Sequence, residues 1–218
     1  MKTALITGFE TFGKYLFNPS KWLALSTDGK NISDYKIHSL VFPSIVRFPD
    51  YAENPGETIV RKAQEIKADL IISFGMASEV KGFRIERSAT NWIYNEKYCT
   101  DFENNNPLDH TKPAKEQIHN DLSHWNIEKM HKLFTEATIP FDANISDDPG
   151  QFCCNALIYR MLRAMQKEQL KIPYLFVHNA CTKEAIELIP DFDRKNKTII
   201  KKEDMKKALE IILQSYKG

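Results

Sequence analysis

Nothing in the 218-residue sequence approaches the run of roughly 18 apolar residues that a membrane span requires. The apolar stretch within the N-terminal MKTALITGFE is too short for a secretory signal, so a cytosolic protein with no membrane partner is expected. An excess of charge of either sign is also lacking. Lys and Arg number 30 against 29 Asp and Glu, a formal net charge of +1, and no basic run has the footprint of a nucleic-acid or anionic-surface binder. Cysteine is scarce. Cys99, Cys153, Cys154 and Cys181 include no paired C-x-x-C spacing, which excludes the common zinc and thioredoxin-like motifs. In a reducing compartment they are expected as free thiols, and a bond between adjacent Cys153 and Cys154 would be strained because their side chains diverge by about 100° on a helix. His110, His119, His124 and His131 are not spaced to set two on one helical turn, so no metal is expected. A phosphate-binding loop is missing too. GFETFGK (8–14) fits part of that motif, but Tyr15 follows where Ser or Thr must hold magnesium, and Pro19 would end the required helix within about one turn.

What the chain does contain is an alternation of short apolar runs with amphipathic stretches. TALIT (3–7), YKIHSLVF (35–42), DLIISFG (69–75), IPFDANI (139–145) and PYLFVH (173–178) have the length and the β-branched or aromatic content of strands. Helical patterns cover 19–26, 57–68, 126–136, 152–167 and 202–216. Strands alternating with helices predict an α/β fold, a three-layer αβα sandwich around a mostly parallel twisted sheet. The length favours a single domain over 1–218, and 95–125, rich in Asn, Asp, Pro and Lys, is expected as a loop-rich excursion. In such sheets ligands occupy the crevice beyond the carboxyl ends of the strands. Polar and glycine-containing segments collect there: GFETFGK, GMASEV, SDDPGQFCC and HNAC.

The stretch DDPGQFCCNALIYRML (147–162) holds the strongest chemical signal. Leu157, Ile158, Met161, Leu162 and Met165 form a core-facing stripe, and stepping back along it by three, four and seven returns to position 154. Cys154 is therefore expected on the inner face of the first turn, with Cys153 at its edge. A thiol at a helix N-terminus feels the positive end of the dipole, which favours the thiolate that attacks carbonyls. His178 is the histidine that ends a strand on the same rim, a fit base for that thiol. Glu79 and Glu86 both follow the third strand as carboxylates that could orient the imidazole, and spacing does not choose between them. Phe9 and Phe12 suit the walls of a flat apolar ligand or a place in the core.

Four blocks, ITGFETFGKYLFNPS, SFGMASEVKGFRIERSATN, DPGQFCCN and LFVH, together resemble the pyroglutamyl peptidase I family of cysteine peptidases, in the family's order and over nearly the full length. The resemblance implies Cys154 before Asn155 as nucleophile, His178 as base, and Glu86 of the Glu-Arg pair as orienter, with Asn91 shortly after. It also implies Phe9 and Phe12 as walls of a ring pocket and Asn18 as a supporting polar residue. The implied enzyme is cytosolic, needs no cofactor and is commonly a homo-oligomer. It removes an N-terminal pyroglutamyl residue from peptides through an acyl-enzyme. The chain departs from the family pattern at Thr11, Lys14, Met76 where relatives often carry Gln, and Asp148-Pro149-Gly150-Gln151 before the cysteines. The Asp-x-Arg that often follows the Glu-Arg block has no counterpart. Those departures keep two other readings open: a binding protein on the same fold, and a cysteine amidase for another small lactam or acyl amide.

Overall fold

The computed structural model describes residues 1–44, 54–94 and 105–218. Cys99 and residues 95–104 of the expected excursion lie outside them. In chain order the elements are β1 (Lys2–Phe9), α1 (Pro19–Thr27), β2 (Asn31–Ile32), β3 (Tyr35–Phe42), α2 (Pro55–Glu65), β4 (Leu70–Met76), β5 (Phe83–Glu86), β6 (Ser88–Thr90) and β7 (Gln117–His119). They continue with α3 (Ile127–Glu136), α4 (Cys153–Lys167), β8 (Tyr174–Asn179), β9 (Cys181–Thr182), α5 (Lys183–Ile186), β10 (Ile199–Ile200) and α6 (Lys202–Gln214). The main sheet has the order β2-β3-β1-β4-β8-β5, with β1, β3, β4 and β8 parallel and the edge strands β2 and β5 antiparallel.

Side-chain alternation along the strands divides the core in two. Ala4, Ile6, Ile72, Phe74, Leu175, Val177, Phe83 and Ile85 pack on one face beneath residues of α1, α3 and α6. Leu5, Phe9, Ile71, Tyr174 and Phe176 pack on the other with α2 and α4. The three-layer αβα sandwich read from the sequence is the architecture observed. No helix among the described residues is long and apolar enough to cross a membrane.

The segment 139–145 is not the strand its composition suggests. It runs along the outer edge of β5 and makes only isolated bridges, Phe83 with Phe141 and Glu86 with Ser146. Pro140 has no N–H to give a ladder, and the Asp142 carboxylate accepts from the backbone N–H of Asn144 at 3.0 Å, which turns the chain away between the bridges. The strand that fills this place is β5, four residues long, too short to stand out as a period-2 pattern.

Helix starts follow their caps. Asn18, Asn54, Asn126 and Thr182 accept from backbone N–H groups in the first turns of α1, α2, α3 and α5. Asn54 and Pro55 move the start of α2 two residues ahead of the apolar pattern. Helices α2 and α4 touch backbone to backbone at Gly56, where a Cβ would fall 2.4 Å from the Arg160 carbonyl. Gly56→Ala is therefore expected to force the helices apart and destabilise the fold by about 1–3 kcal/mol. A thermal midpoint equal to that of the wild type would show that the contact yields without cost.

Candidate active site

Parity along the strands decides which side chains meet. His178 follows Tyr174 and Phe176 on the α4 face of β8, and on antiparallel β5 it is Arg84 and Glu86 that turn to that face while Phe83 and Ile85 turn away. The Glu86 carboxylate accepts from Nδ1 of His178 at 2.7 Å and from Nε of Arg84 at 2.7 Å. Both partners of the first bond are buried, His178 at 2% exposure and Glu86 at 0%. Phe176 meets the imidazole edge to face, with ring centroids 5.1 Å apart, and limits its rotation.

Gly75 of β4 pairs with His178 in the sheet register. A Cβ placed on Gly75 would lie 2.9 Å from Cys154 Sγ and 3.4 Å from His178 Cδ2. The sulfur and the imidazole thus both border the space over Gly75, and Nδ1 of that ring is the atom engaged by Glu86. Cys154 reaches this point from above the sheet, on the first turn of α4, and is partly exposed, whereas Cys153 is buried among the core residues of the same face. The burial is the reverse of the expected one, in which Cys154 took the inner face and Cys153 its edge: Cys153 is the core residue, and Cys154 is the thiol that borders the space over Gly75.

The expectation of a resident thiolate is corrected. Its neighbour Cys153, burial, and the negative charge of Glu86 push the Cys154 thiol well above its ordinary value, outweighing the pull of the helix terminus. Burial alone would also raise Glu86, but the hydrogen bond and charge of His178, with Ser146 and Arg84, hold its carboxyl below the ordinary value. Both shifts are those of a thiol beside an imidazole backed by a carboxylate, an arrangement in which a base can draw the thiol proton.

Of the two carboxylates left open by spacing, Glu79 is exposed and paired with Lys197, on the far side of the loop from the histidine. Phe12 and Met76 are brought together in a small apolar cluster with Cys181, Ala185 and Ile186 beyond the strand ends. Phe9 belongs to a different cluster: it is the last residue of β1, on the α4 face, and packs into the core there. Asn18 is a strut. Its carboxamide oxygen accepts from Ser20 N at 3.0 Å and Ser20 Oγ at 2.8 Å, while its nitrogen donates to the Glu10 carbonyl at 3.0 Å. These bonds fix the 10–18 loop that carries Phe12.

Residues that sequence patterns did not single out complete the frame. Asn155 accepts from the Thr90 N–H at 2.8 Å and donates to the Thr90 and Trp92 carbonyls, both at 2.9 Å, tying the end of β6 and the chain after it to the first turn of α4. Asn91 is buried and holds the 109–113 turn, accepting from Asp109 N at 2.8 Å and donating to the Asp109 carbonyl at 2.9 Å. Arg87 pairs with Asp147, which also accepts from Ser88 Oγ; these partners hold the Asp147 carboxyl down at about 2. Finally, no side chain caps α4: its N-cap is Phe152, and the first turn that carries Cys153 and Cys154 holds the N–H groups that a helix cannot pair internally.

A thiol at an uncapped helix start, a histidine and a buried carboxylate on an αβα scaffold define a cysteine hydrolase of the acyl-transfer type. Residues 2–213 match the model of the Pyroglutamyl peptidase family, and the chain belongs to that family. A pyrrolidone-carboxylate peptidase of Brachyspira hyodysenteriae is 31% identical over 217 residues, covering 97% of both chains. One of Bacillus mycoides is 31% identical over 181 residues, 82% of this chain and 78% of its own. The solved pyrrolidone carboxyl peptidase of Thermococcus litoralis superposes with a TM-score of 0.79 at 23% identity, covering 99% of this chain and 93% of that one. The pyroglutamyl peptidase I structure of Bacillus amyloliquefaciens gives 0.76 at 21%, covering 99% and 94%.

If the base draws the proton on demand, removing it should expose the thiol's own ionisation. In His178→Ala, iodoacetamide labelling of Cys154 is expected to keep accelerating through and beyond pH 9, the ordinary thiol value. A rate that levels off near neutral pH would mean a resident thiolate.

Proposed function

We propose that this cysteine peptidase hydrolyses the amide bond that follows an N-terminal pyroglutamyl residue, with Cys154 as nucleophile, His178 as base and then acid, and Glu86 as the group that orients the imidazole. The convergence of Cys154 Sγ and His178 Cδ2 over Gly75, with Glu86 2.7 Å behind the ring, is the observation that carries this reading. Glu86 accepts the Nδ1 proton and so leaves Nε2 free to take the thiol proton. Sulfur then bonds to the pyroglutamyl carbonyl carbon, and the N–H groups of Cys153 and Cys154 at the uncapped start of α4 receive the negative oxygen. The imidazolium returns its proton to the departing amine as the carbon–nitrogen bond breaks, leaving a thioester. Water, deprotonated by the same histidine, releases pyroglutamate and restores the thiol.

Phe12 and Met76 supply the apolar side of the ring pocket in this reading, with Phe9 beneath on the nucleophile's face of the sheet and Asn18 fixing the loop. A pyrrolidone ring has flat faces and only one N–H and one carbonyl, which suits a dry, mainly apolar pocket. Free thiols at Cys153, Cys154 and Cys181 fit the reducing cytosol expected from the composition.

Cys154→Ser should abolish hydrolysis of a pyroglutamyl fluorogenic amide while Cys153→Ser keeps most of it. His178→Ala should lower turnover by about 10²–10⁴, the usual scale of a lost general base, and Glu86→Gln by less. The depressed Glu86 carboxyl has a linked effect on stability. Its contribution is present above the ordinary value of 4.5 and lost as the pH falls through the lowered folded value, so Glu86→Gln should flatten that part of the acid unfolding curve. Equal activity of Cys154→Ser and wild type, or selective inactivation through Cys153, would overturn the assignment.

Met76 is buried at 6% exposure and brings no hydrogen bond to a ring edge. Restoring a polar partner with Met76→Gln should raise the preference for a pyroglutamyl over a prolyl amide by about 2–13-fold, the worth of one hydrogen bond. Faster cleavage of the prolyl amide by the wild type would point instead to a cysteine amidase of different selectivity.

A further inference from the structure

A polar cleft of about 430 Å³ runs beside the first turn of α4, lined by Thr90, Trp92, Tyr94, Asn105, Lys115 and Gln151. Its volume is within the range of about 300–1,000 Å³ typical of small-ligand sites. None of these residues takes part in the chemistry described above. The cleft is nevertheless built onto the nucleophile's helix: Asn155, next to Cys154, holds the backbone of Thr90 and Trp92, and the Tyr94 N–H donates to the Gln151 carbonyl at 2.9 Å. A shift of the cleft wall is thus a shift of the turn that carries the thiol.

An amide substrate passes through the nucleophile with its acyl part on one side and its amine part on the other. Phe12 and Met76 occupy the apolar side. In the sheet order β4 and β8 separate β1, whose loop carries Phe12, from β5, which leads into the cleft, and Thr90, Asn105, Lys115 and Gln151 give the cleft polar groups that suit a peptide backbone. Among the described residues lining the cleft Lys115 is the only charged one, and its Nζ sits 4.9 Å over the Trp92 ring. No carboxylate of the described residues pairs with it.

We propose that this cleft receives the part of the peptide on the amine side of the scissile bond, and that Lys115 makes it favour a carboxylate there. This rests on the pyroglutamyl peptidase reading of Cys154. The carboxylate can be the side chain of an acidic second residue or the C-terminus of a dipeptide, and Lys115 over the indole face meets either as a point charge.

The test compares kcat/KM for three substrates: pyroglutamyl-alanine amide, pyroglutamyl-alanine free acid, and pyroglutamyl-glutamic acid α-amide, in which only the α-carboxyl is blocked. At low salt the wild type should favour one or both acids over the neutral amide by about 2–5-fold, as expected for a partly exposed ion pair, and the preference should shrink in high salt. In Lys115→Met the acid-to-neutral ratio should fall to about 1, and in Lys115→Glu it should invert; a ratio within one variant does not depend on how much of it is folded. A response of the free acid alone identifies the C-terminal carboxylate, and of the glutamyl substrate alone the side chain. Equal rates on all three substrates in the wild type, or a preference that survives in Lys115→Met, would overturn the proposal. Failure to cleave any of the three would overturn the peptidase reading on which it stands.

Discussion

The first turn of α4 lies so close to the sheet that β4 has no room for a side chain beneath it. A Cβ on Gly75 would come 2.9 Å from Cys154 Sγ and 2.9 Å from Phe176 Cζ, closer than a Cβ approaches its nonbonded neighbours in folded proteins. This contact brings a helix-borne thiol within reach of a strand-borne histidine, two groups whose backbones belong to different layers. The buried strand pairing of β4 with β8 fixes the height of His178, and the backbone contact at Gly56 fixes the lie of α4 against α2. Reactive geometry here is a packing result before it is an electrostatic one.

Electrostatics then acts on what packing has assembled. The same enclosure that positions Cys154 disfavours its charged form, while Glu86 stays ionised because His178 and Arg84 compensate its desolvation. The surroundings of the two groups differ: the carboxylate has the imidazole and the Arg84 guanidinium as donors on its side, and the sulfur has a second thiol and a carboxylate on its own. Helix α4 contributes its unpaired N–H groups because Phe152 stands where α1, α2, α3 and α5 have a side chain that closes the end.

Much of this was legible in the sequence where the physics is periodic. The stripe Leu157, Ile158, Met161, Leu162 and Met165 pointed back to Cys154, and runs of five to eight residues marked the parallel strands. Legibility ended where structure depends on partners far along the chain. Strand β5 is four residues long and exists through its pairing with β8, so the choice between Glu79 and Glu86 could not come from spacing and rested on family likeness. IPFDANI has the composition of a strand, yet Pro140 and the Asp142 turn break its ladder. A helix terminus that favours a thiolate is visible in a sequence, whereas Cys153, burial and Glu86, which push the Cys154 thiol the other way, act through space. Phe9 and Phe12, three residues apart, were read as facing walls, but the strand ends between them and the two rings fall into different clusters.

The broken segment alongside β5 also bears on how the molecule behaves in a crowded solution. An edge strand with open N–H and carbonyl groups is a template for pairing with other chains, and β5 is such an edge. Residues 139–146 cover it with backbone bonds from Asp142 and Ser146 to the Phe83 and Ile85 carbonyls, while Pro140 and the turn keep this cover from forming a continuous strand that could itself be extended. The strand so shielded is the one that carries Glu86. A single irregular segment thereby blunts an aggregation-prone edge and keeps foreign backbone away from the carboxylate behind the histidine.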